Sequence, residues 1–163
     1  MYSGTGNAIA SKSMAYPDET PKLAPKPAAE PALEELFEEA RQAALNAYSP
    51  YSGFRVGAAL RLTNGETVTG TNVENVSYGL TLCAERAALV QAVSRFGPAI
   101  RIAAAAVANL NDAPSPPCGA CRQVLAEFIL PEAPVIFPAE GGVLTLPFSA
   151  LLPLAFDMKT KTR

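Results

Sequence analysis

The spacing of apolar side chains along the chain changes several times, and each change marks a predicted element. In "PALEELFEEARQAALNAY", which starts at position 31, apolar residues recur at helical spacing and predict a first helix that ends before Pro50. In "FRVGAALRLTNGETVTGTNVEN", two extended runs lie on either side of Asn64-Gly65, a dipeptide that strongly favours a two-residue hairpin turn. These runs are therefore predicted to form two antiparallel strands.

The second half of the chain alternates between helical and extended patterns. Residues 83 to 96 predict a helix that a Gly-Pro pair then ends, and "IRIAAAAVANL" is apolar almost throughout, as is typical of a central strand covered on both faces. Residues 119 to 129 predict another helix. "APVIFP" and "GVLTLPF" predict two strands joined by a linker too short for a parallel crossover. The predicted fold is α/β, a three-layer α-β-α sandwich with a mixed five-stranded sheet.

Residues 1 to 31 differ in composition from the rest of the chain, because they are rich in Ser, Gly, Ala and Pro and contain few large aliphatic side chains. Such a segment buries too little apolar area to offset chain entropy, so we expect a flexible Pro/Ala-rich N-terminal tail. A mitochondrial presequence is an alternative, although the first 40 residues contain no Arg, and an upstream extension before a second start at Met14 is another. The folded domain is expected over residues 32 to 157, and residues 158 to 163 form a short basic C-terminal tail.

Composition and charge exclude several classes of function. The 163 residues, 49% of them hydrophobic, are enough for one core. A net charge of −2 gives no basic surface for a nucleic-acid polymer, and no apolar run is long enough for a membrane span. An odd number of cysteines without a signal segment argues against a secreted disulfide framework and for a reducing compartment. We therefore expect a soluble cytoplasmic protein with neither nucleic acid nor membrane as a partner.

The chain contains no histidine, which restricts the catalytic chemistry further. Ser-His-Asp and Cys-His hydrolases and the His-Glu-x-x-His metalloproteases are all excluded. An acid or base that works near neutral pH must then be a carboxylate, Lys, Tyr, Cys or a metal-bound water. A metal site is therefore an attractive hypothesis.

The three cysteines stand at the starts of two predicted helices. Cys83 begins one helix, and Cys118 and Cys121 bracket the first turn of the next. If the strands before these helices are neighbours, both helices begin at the same edge of the sheet and the thiolates can converge on one ion. Zinc suits three soft sulfur ligands, and the lack of a fourth Cys or His leaves one position for water, as in catalytic zinc sites.

Charged side chains next to the cysteines add to this hypothesis. Three thiolates outweigh the charge of Zn²⁺, so positive groups are needed nearby. The helix N-termini, Arg86 and Arg122 can supply them, the two arginines through hydrogen bonds to the sulfurs. Glu85, two residues after Cys83, can face the open position without binding the metal, and there it can accept a proton and return it to a leaving group.

The combination of Cys-x-Glu with Pro-Cys-x-x-Cys is a signature of zinc-dependent nucleobase deaminases. With "SPYSGFRVGAAL", "GTNVENVSY", "LCAERAAL", "PCGACRQV" and "LLPLAF", the chain resembles the cytidine deaminases of the small, homotetrameric, free-nucleoside type over about residues 33 to 157. The resemblance implies a cytidine deaminase-like catalytic domain with one Zn²⁺ held by Cys83, Cys118 and Cys121. It also implies hydrolytic deamination of cytidine and deoxycytidine to uridine and deoxyuridine plus ammonia, in pyrimidine salvage.

The resemblance further implies roles for side chains outside the metal ligands. Glu85 corresponds to the proton shuttle. The implied substrate contacts are Phe54 against the pyrimidine, Asn72 and Glu74 at the ribose hydroxyl, the backbone N–H of Ala84 at the base, and Tyr78 and Phe156 at a neighbouring subunit's site. Phe156 is preferred to Phe148 because of the "LLP" that precedes it. The family commonly has Ser where this chain has Pro116, and a backbone contact there would survive the change.

Without the resemblance, several of these residues have simpler interpretations. Asn72 can cap a turn and Glu74 can be a solvated loop charge. Phe54 can be a core residue, and Arg86 and Tyr78 can lie at the surface. Two other functions also stay open. One is a deaminase for a modified cytosine nucleoside such as an aminoacylated antibiotic, and the other is a zinc-stabilised interaction protein without catalysis.

Overall fold

A computed structural model describes residues 31 to 156. The predicted tails fall outside these residues, apart from Pro31, which begins the first helix. The elements in chain order are α1 Pro31–Ala44, β1 Val56–Leu62, β2 Thr67–Thr71, a 3₁₀ turn Tyr78–Leu80, α2 Ala84–Phe96, β3 Ile102–Asn109, α3 Gly119–Leu125, β4 Pro134–Ala139, β5 Gly142–Pro147 and α4 Phe148–Leu151.

The five strands form one mixed sheet in the order β2-β1-β3-β4-β5. Strand β1 is antiparallel to both of its neighbours, β3 and β4 are parallel, and β4 and β5 are antiparallel. The turn between β1 and β2 contains Gly65 with φ +89°, a conformation that glycine adopts without steric cost. Both predicted hairpins and the mixed five-stranded sheet are therefore confirmed.

Helices cover both faces of the sheet, as the three-layer prediction requires. The N-terminal helix α1 places Leu36 and Ala40 against Ala59, Ala106 and Ile136 on one face. On the other face, the buried side chains of α2 and α3 join those of the strands in a larger core. Strand β3 is buried along nearly its whole length, which explains why its sequence is apolar without alternation.

Two glycines let the helices approach the sheet closely. A Cβ atom on Gly57 of β1 would lie 2.0 Å from the carbonyl oxygen of Ala40 in α1. A Cβ atom on Gly70 of β2 would lie 2.3 Å from the backbone nitrogen of Ala88 and 2.6 Å from the carbonyl oxygen of Ala84. Both distances are far below van der Waals contact, so only glycine fits. Gly70 thereby fixes the height of the first turns of α2 above the sheet.

The observed elements differ from the predicted ones mainly at helix ends. Helix α3 stops at Leu125 and not at Ile129, because the chain turns so that Ile129 bridges to Ile102 beside the sheet. Helix α4 and the 3₁₀ turn were not predicted, since three or four residues are too few to show a periodic pattern. Among residues 31 to 156, no helix has the length and apolar character needed to cross a membrane.

Candidate active site

Two of the three cysteines occupy the residue immediately before a helix. Cys83 precedes α2 and Cys118 precedes α3, both with extended backbone, and their carbonyl oxygens accept the N–H groups of Ala87 and Arg122 at 3.0 Å. Neither thiol makes the side-chain hydrogen bond that normally caps a helix. Both sulfurs therefore remain available at positive helix ends, where a thiolate is stabilised.

The third thiol, that of the buried Cys121, joins them from the first turn of α3. The three Sγ atoms all lie within 4.8 Å of one another. The prediction assumed that the strands before α2 and α3 are neighbours, and this is wrong, because β1 lies between β2 and β3. Each of the two is antiparallel to β1, so they still point the same way and both helices begin at the same end of the sheet.

The donor set fits a zinc ion. Sulfur ligands about 2.3 Å from a tetrahedral Zn²⁺ lie on the order of 3.8 Å apart, and the three sulfurs, all within 4.8 Å of one another, are close to that spacing. Within the described part of the chain, the cluster has three potential ligands and no fourth. Three ligands are the number found in catalytic zinc sites, where the fourth position takes water or substrate.

Hydrogen bonds and charge distinguish the thiols from one another. A hydrogen bond from Cys121, followed by the hydrogen bond and the charge of Arg86, lowers the pKa of Cys83 to about 5. The same contact with Cys83, together with burial, raises the pKa of Cys121. The lowered pKa favours the thiolate at Cys83, which is the form that binds a cation.

Arg86 is the positive group that faces the sulfurs. Its Nη2 atom donates to the Sγ atom of Cys83 at 3.4 Å and to the carbonyl oxygen of Thr81 at 3.1 Å. The hydrogen bond to Cys83 also raises the pKa of Arg86. The buried Nε of this guanidinium has no hydrogen-bond partner within residues 31 to 156. The placement agrees with the predicted role of offsetting thiolate charge.

The second arginine points elsewhere. Arg122 donates from Nε to the carbonyl oxygen of Pro117 at 2.7 Å and from Nη1 to that of Leu151 at 3.0 Å. These bonds tie the loop before Cys118 to helix α4. No hydrogen bond from Arg122 to a sulfur is present in the described region, so its predicted contact with the thiolates has no support in this geometry.

Glu85 lies beside the thiols with only 5% of its surface exposed. Burial raises the pKa of its carboxyl, and the negative charge of Cys83 adds to the rise, while a hydrogen bond from Cys121 opposes it. A carboxyl of this kind holds its proton closer to neutral pH than an exposed one. Of the charged side chains in the described region, it is the one buried next to the metal-binding thiols.

Asn72 is buried, at 8% exposure, and its amide binds backbone groups around Phe54. Its Nδ2 donates to the carbonyl oxygen of Phe54 at 2.9 Å, and its Oδ1 accepts the N–H of Val56 at 2.8 Å. An amide has two N–H donors and two acceptor lone pairs, so these two bonds leave one of each unused. The structure thus gives Asn72 a backbone-holding role that the sequence did not reveal.

Glu74 folds back over the loop before Phe54. Its carboxylate accepts the N–H groups of Tyr51 at 2.9 Å and Ser52 at 3.2 Å, and it also accepts the Ser52 hydroxyl. The hydroxyl hydrogen bond lowers the pKa of Glu74, and the two backbone hydrogen bonds lower it further. Glu74 is therefore an ionised acceptor at neutral pH.

The remaining predicted contacts lie at the surface or at a helix end. Tyr78 is 74% exposed, and its ring meets that of Tyr51 edge to face with centroids 6.1 Å apart. Phe156 is 75% exposed whereas Phe148 lies in the core, which leaves Phe156 as the one available to another chain. Ala84 is the first residue of α2, so its N–H has no partner within the helix.

Three amide side chains make structural hydrogen bonds that were not predicted from the sequence. Gln123 donates to the carbonyl oxygen of Phe156 at 2.8 Å and accepts its N–H at 3.2 Å, and Asn109 and Asn111 make several backbone contacts beyond the end of β3. Asparagine at the end of the predicted strand, or directly after it, was the available signal for Asn109 and Asn111, because its amide readily replaces backbone partners in turns.

Similarity to known proteins agrees with this geometry. Residues 31 to 136 match the family model described as the cytidine and deoxycytidylate deaminase zinc-binding region. The chain is similar to a cytidine deaminase of Halalkalibacterium halodurans, with 48% identity over 118 residues, which are 72% of this chain and 88% of the relative. Crystal structures of cytidine deaminases from Burkholderia pseudomallei and Mycobacterium tuberculosis match it with TM-scores of 0.68 and 0.70 and identities of 44% and 43%. They cover 76% and 79% of this chain, and the match spans 98% and 100% of theirs.

Proposed function

The chain belongs to the family of cytidine and deoxycytidylate deaminases, and we propose that it catalyses the zinc-dependent hydrolytic deamination of cytidine and deoxycytidine. The products are uridine or deoxyuridine and ammonia, as in pyrimidine salvage. The observation that carries this conclusion is the convergence of three thiols from two helix N-termini next to the buried carboxyl of Glu85.

Cys83, Cys118 and Cys121 hold one Zn²⁺ per chain. When bound, the ion supplies Lewis acidity that lowers the pKa of water at the site. The protein must offset the charge of three thiolates, and it does so with the N-termini of α2 and α3 and with the hydrogen bond from Arg86 to Cys83.

Glu85 moves the protons of the reaction. Water adds to C4 of the cytosine ring while Glu85 accepts its proton and delivers that proton to N3. Glu85 then takes the second proton of the added water from the oxygen on C4 and passes it to the amino group. The bond between C4 and that nitrogen breaks, and ammonia leaves as the C4 carbonyl forms. Burial suits this side chain to both steps, because its raised pKa lies closer to that of the groups with which it exchanges protons.

Backbone and side-chain groups around the thiols orient the nucleoside. The ring of Phe54 packs against the pyrimidine, and the free N–H of Ala84 at the start of α2 donates to the base. Asn72 and Glu74 bind the ribose at its 3′-hydroxyl, a group that cytidine and deoxycytidine share. The support is that Asn72 and Glu74 both contact the loop of Phe54 and retain unused acceptor positions.

We also propose a cytoplasmic homotetramer whose sites are shared between subunits. Tyr78 and Phe156 reach the site of a neighbouring chain, and their exposure on an isolated chain supports this role. Val76 and Leu80, which flank Tyr78 in sequence, are also exposed and extend the apolar surface. A cytoplasmic location agrees with a metal site built from thiols, since a reducing compartment keeps them available.

The decisive experiment follows the ultraviolet absorbance of cytidine after addition of the zinc-loaded protein. We expect the change that marks conversion to uridine, loss of that change after removal of zinc with a chelator, and its return on adding zinc. Turnover of cytidine compared with that of aminoacylated cytosine nucleosides tests the other deaminase function. No change at high protein concentration with either substrate class would exclude deamination and favour a zinc-stabilised interaction protein.

A further inference from the structure

The segment from Gly53 to Val56 contains Phe54 and lies outside the helices. Only its last residue, Val56, belongs to β1. We propose that Asn111 is a positioning residue for Phe54 and that, together with Asn72, it sets the place of this ring in the nucleoside site. The role of Asn111 depends on the proposed function, because it assumes that Phe54 packs against the pyrimidine.

Asn111 binds the two backbone groups that flank Phe54. Its Oδ1 accepts the N–H of Arg55 at 3.0 Å, and its Nδ2 donates to the carbonyl oxygen of Gly53 at 3.2 Å. Asn72 binds the carbonyl oxygen of Phe54 and the N–H of Val56 from within the domain. Two asparagine amides therefore hold four successive residues, and Phe54 lies between the two backbone groups that Asn111 holds.

The sheet explains why an amide stands at position 111. Val56 is paired with Asn109 in the antiparallel ladder of β1 and β3, and the N–H of Leu110 still donates to the carbonyl oxygen of Arg55 at 3.1 Å. The backbone then turns away at Asp112, which has φ +51°. A primary amide carries the donor and acceptor of a peptide group, so the Asn111 side chain continues the ladder after the backbone has left it.

Asn109 fixes the turn from which Asn111 projects. It is only 4% exposed, and its Oδ1 accepts the N–H groups of Asn111 at 2.8 Å and Ala113 at 3.3 Å. Its Nδ2 donates to the carbonyl oxygen of Ala113 and to the Ser115 hydroxyl, both at 2.7 Å. The buried side chain of Asn109 thus holds the turn, and this fixes the position of Asn111.

Loss of the Asn111 amide should affect binding more than chemistry. Phe54 packs against the face of the base and exchanges no proton with it, so a mobile ring weakens binding of the ground state and the transition state alike, which raises KM and leaves kcat nearly unchanged. For Asn111→Ala we expect a rise in KM for cytidine of about tenfold, in the range of two lost hydrogen bonds, with kcat within about twofold of the wild-type value.

The matched control is Asn64→Ala. Asn64 also bonds a backbone N–H through its side chain, that of Glu66, but it lies in the turn at the opposite end of β1. This variant should keep the KM of the wild type. In a Phe54→Ala background, Asn111→Ala should add less than about twofold to KM, because the ring through which it acts is gone. An equal rise in both backgrounds, or an unchanged KM for Asn111→Ala alone, overturns the proposal.

A second measurement needs no activity. The chain contains no Trp, so Phe54→Trp introduces a single fluorescent reporter at the position in question. We expect acrylamide to quench this reporter more strongly when Asn111→Ala is added and equally when Asn64→Ala is added. Unchanged quenching with Asn111→Ala contradicts the positioning role even if KM moves. Failure of the wild type to deaminate cytidine contradicts the proposed function, while the quenching comparison still decides whether Asn111 orders the segment.

Discussion

At the scale of single residues, Glu85 is the side chain that carries the proposed proton transfers. We expect Glu85→Gln to keep the shape of the site and the bound zinc but to lower kcat at least ~100-fold, because the amide cannot carry a proton between water and the base. Metal analysis and steady-state kinetics of the same preparation test this expectation. Activity within tenfold of the wild type would assign the proton transfers to another group.

Glu74 offers a residue-scale prediction on pH. Its folded-state pKa lies below the ordinary 4.5, so its contribution to stability is fully present above that pH and is lost as the pH falls through the lowered pKa. We expect the melting temperature of Glu74→Gln to lie below that of the wild type at pH 6 and to approach it as the solution is acidified below 4.5. Thermal unfolding of both proteins over pH 3 to 7 measures the difference. A gap that stays constant with pH would contradict the role of the ionised carboxylate.

At this scale, the sequence predicted the residues whose type limits their function. It did not predict residues whose role depends on which groups the fold brings next to them. Three cysteines have few alternative uses in a chain without histidine, so the thiol cluster could be predicted from residue type and spacing, whereas the role of Glu85 came from the deaminase signature. The amide of Asn72 has many possible partners, and its bonds to Phe54 and Val56 depend on how β1 lies beside β2. Arg122 likewise donates to carbonyl oxygens of the loop before Cys118 and of α4, and α4 is too short to be predicted from the sequence.

At the scale of elements, Gly70 controls how helix α2 sits on the sheet. We expect Gly70→Ala to displace the first turns of α2, which carry Cys83 and Glu85, and so to lower zinc affinity at least ~10-fold in addition to destabilising the fold. Gly57→Ala is the control, because the same clash there moves α1 on the opposite face. It should destabilise the protein by a similar amount, and the folded fraction should keep its zinc affinity.

Competition with a chelator at a temperature where both variants are folded measures that affinity, and thermal unfolding checks the shared loss of stability. Equal zinc affinity in the two variants would show that α2 tolerates the displacement.

Element types were predictable because their signals are local, whereas strand order was not. The Asn64-Gly65 turn and the apolar run of β3 each decide an element from a few neighbouring residues. The insertion of β1 between β2 and β3 is a pairing of residues distant in the chain, such as Val56 with Asn109, and no local pattern encodes it. The thiols still converge because the direction of β2 and β3, and not their adjacency, decides where the helices begin.

At the scale of the whole molecule, the proposed sharing of sites between chains can be tested with mixtures of two variants. Phe156→Ala should lose activity by removing a contact to the neighbouring site, and Glu85→Gln should lose activity at its own site. We expect activity to return when the two inactive proteins are dissociated, mixed and reassembled, because some sites then receive Glu85 from one chain and Phe156 from another. Each variant treated alone is the control, and an inactive mixture of correct molecular mass would contradict sharing.

The loop from Asn109 to Cys118 ends at a cysteine of the thiol cluster, and one of its side chains, that of Asn111, holds the segment of Phe54. An insertion or deletion in this loop would shift the thiol cluster and the segment of Phe54 together. We therefore expect enzymes with a different base preference to differ in this loop by substitution and not by length. Diversity among such enzymes should accumulate in side chains here, and changes of length should fall in other connections.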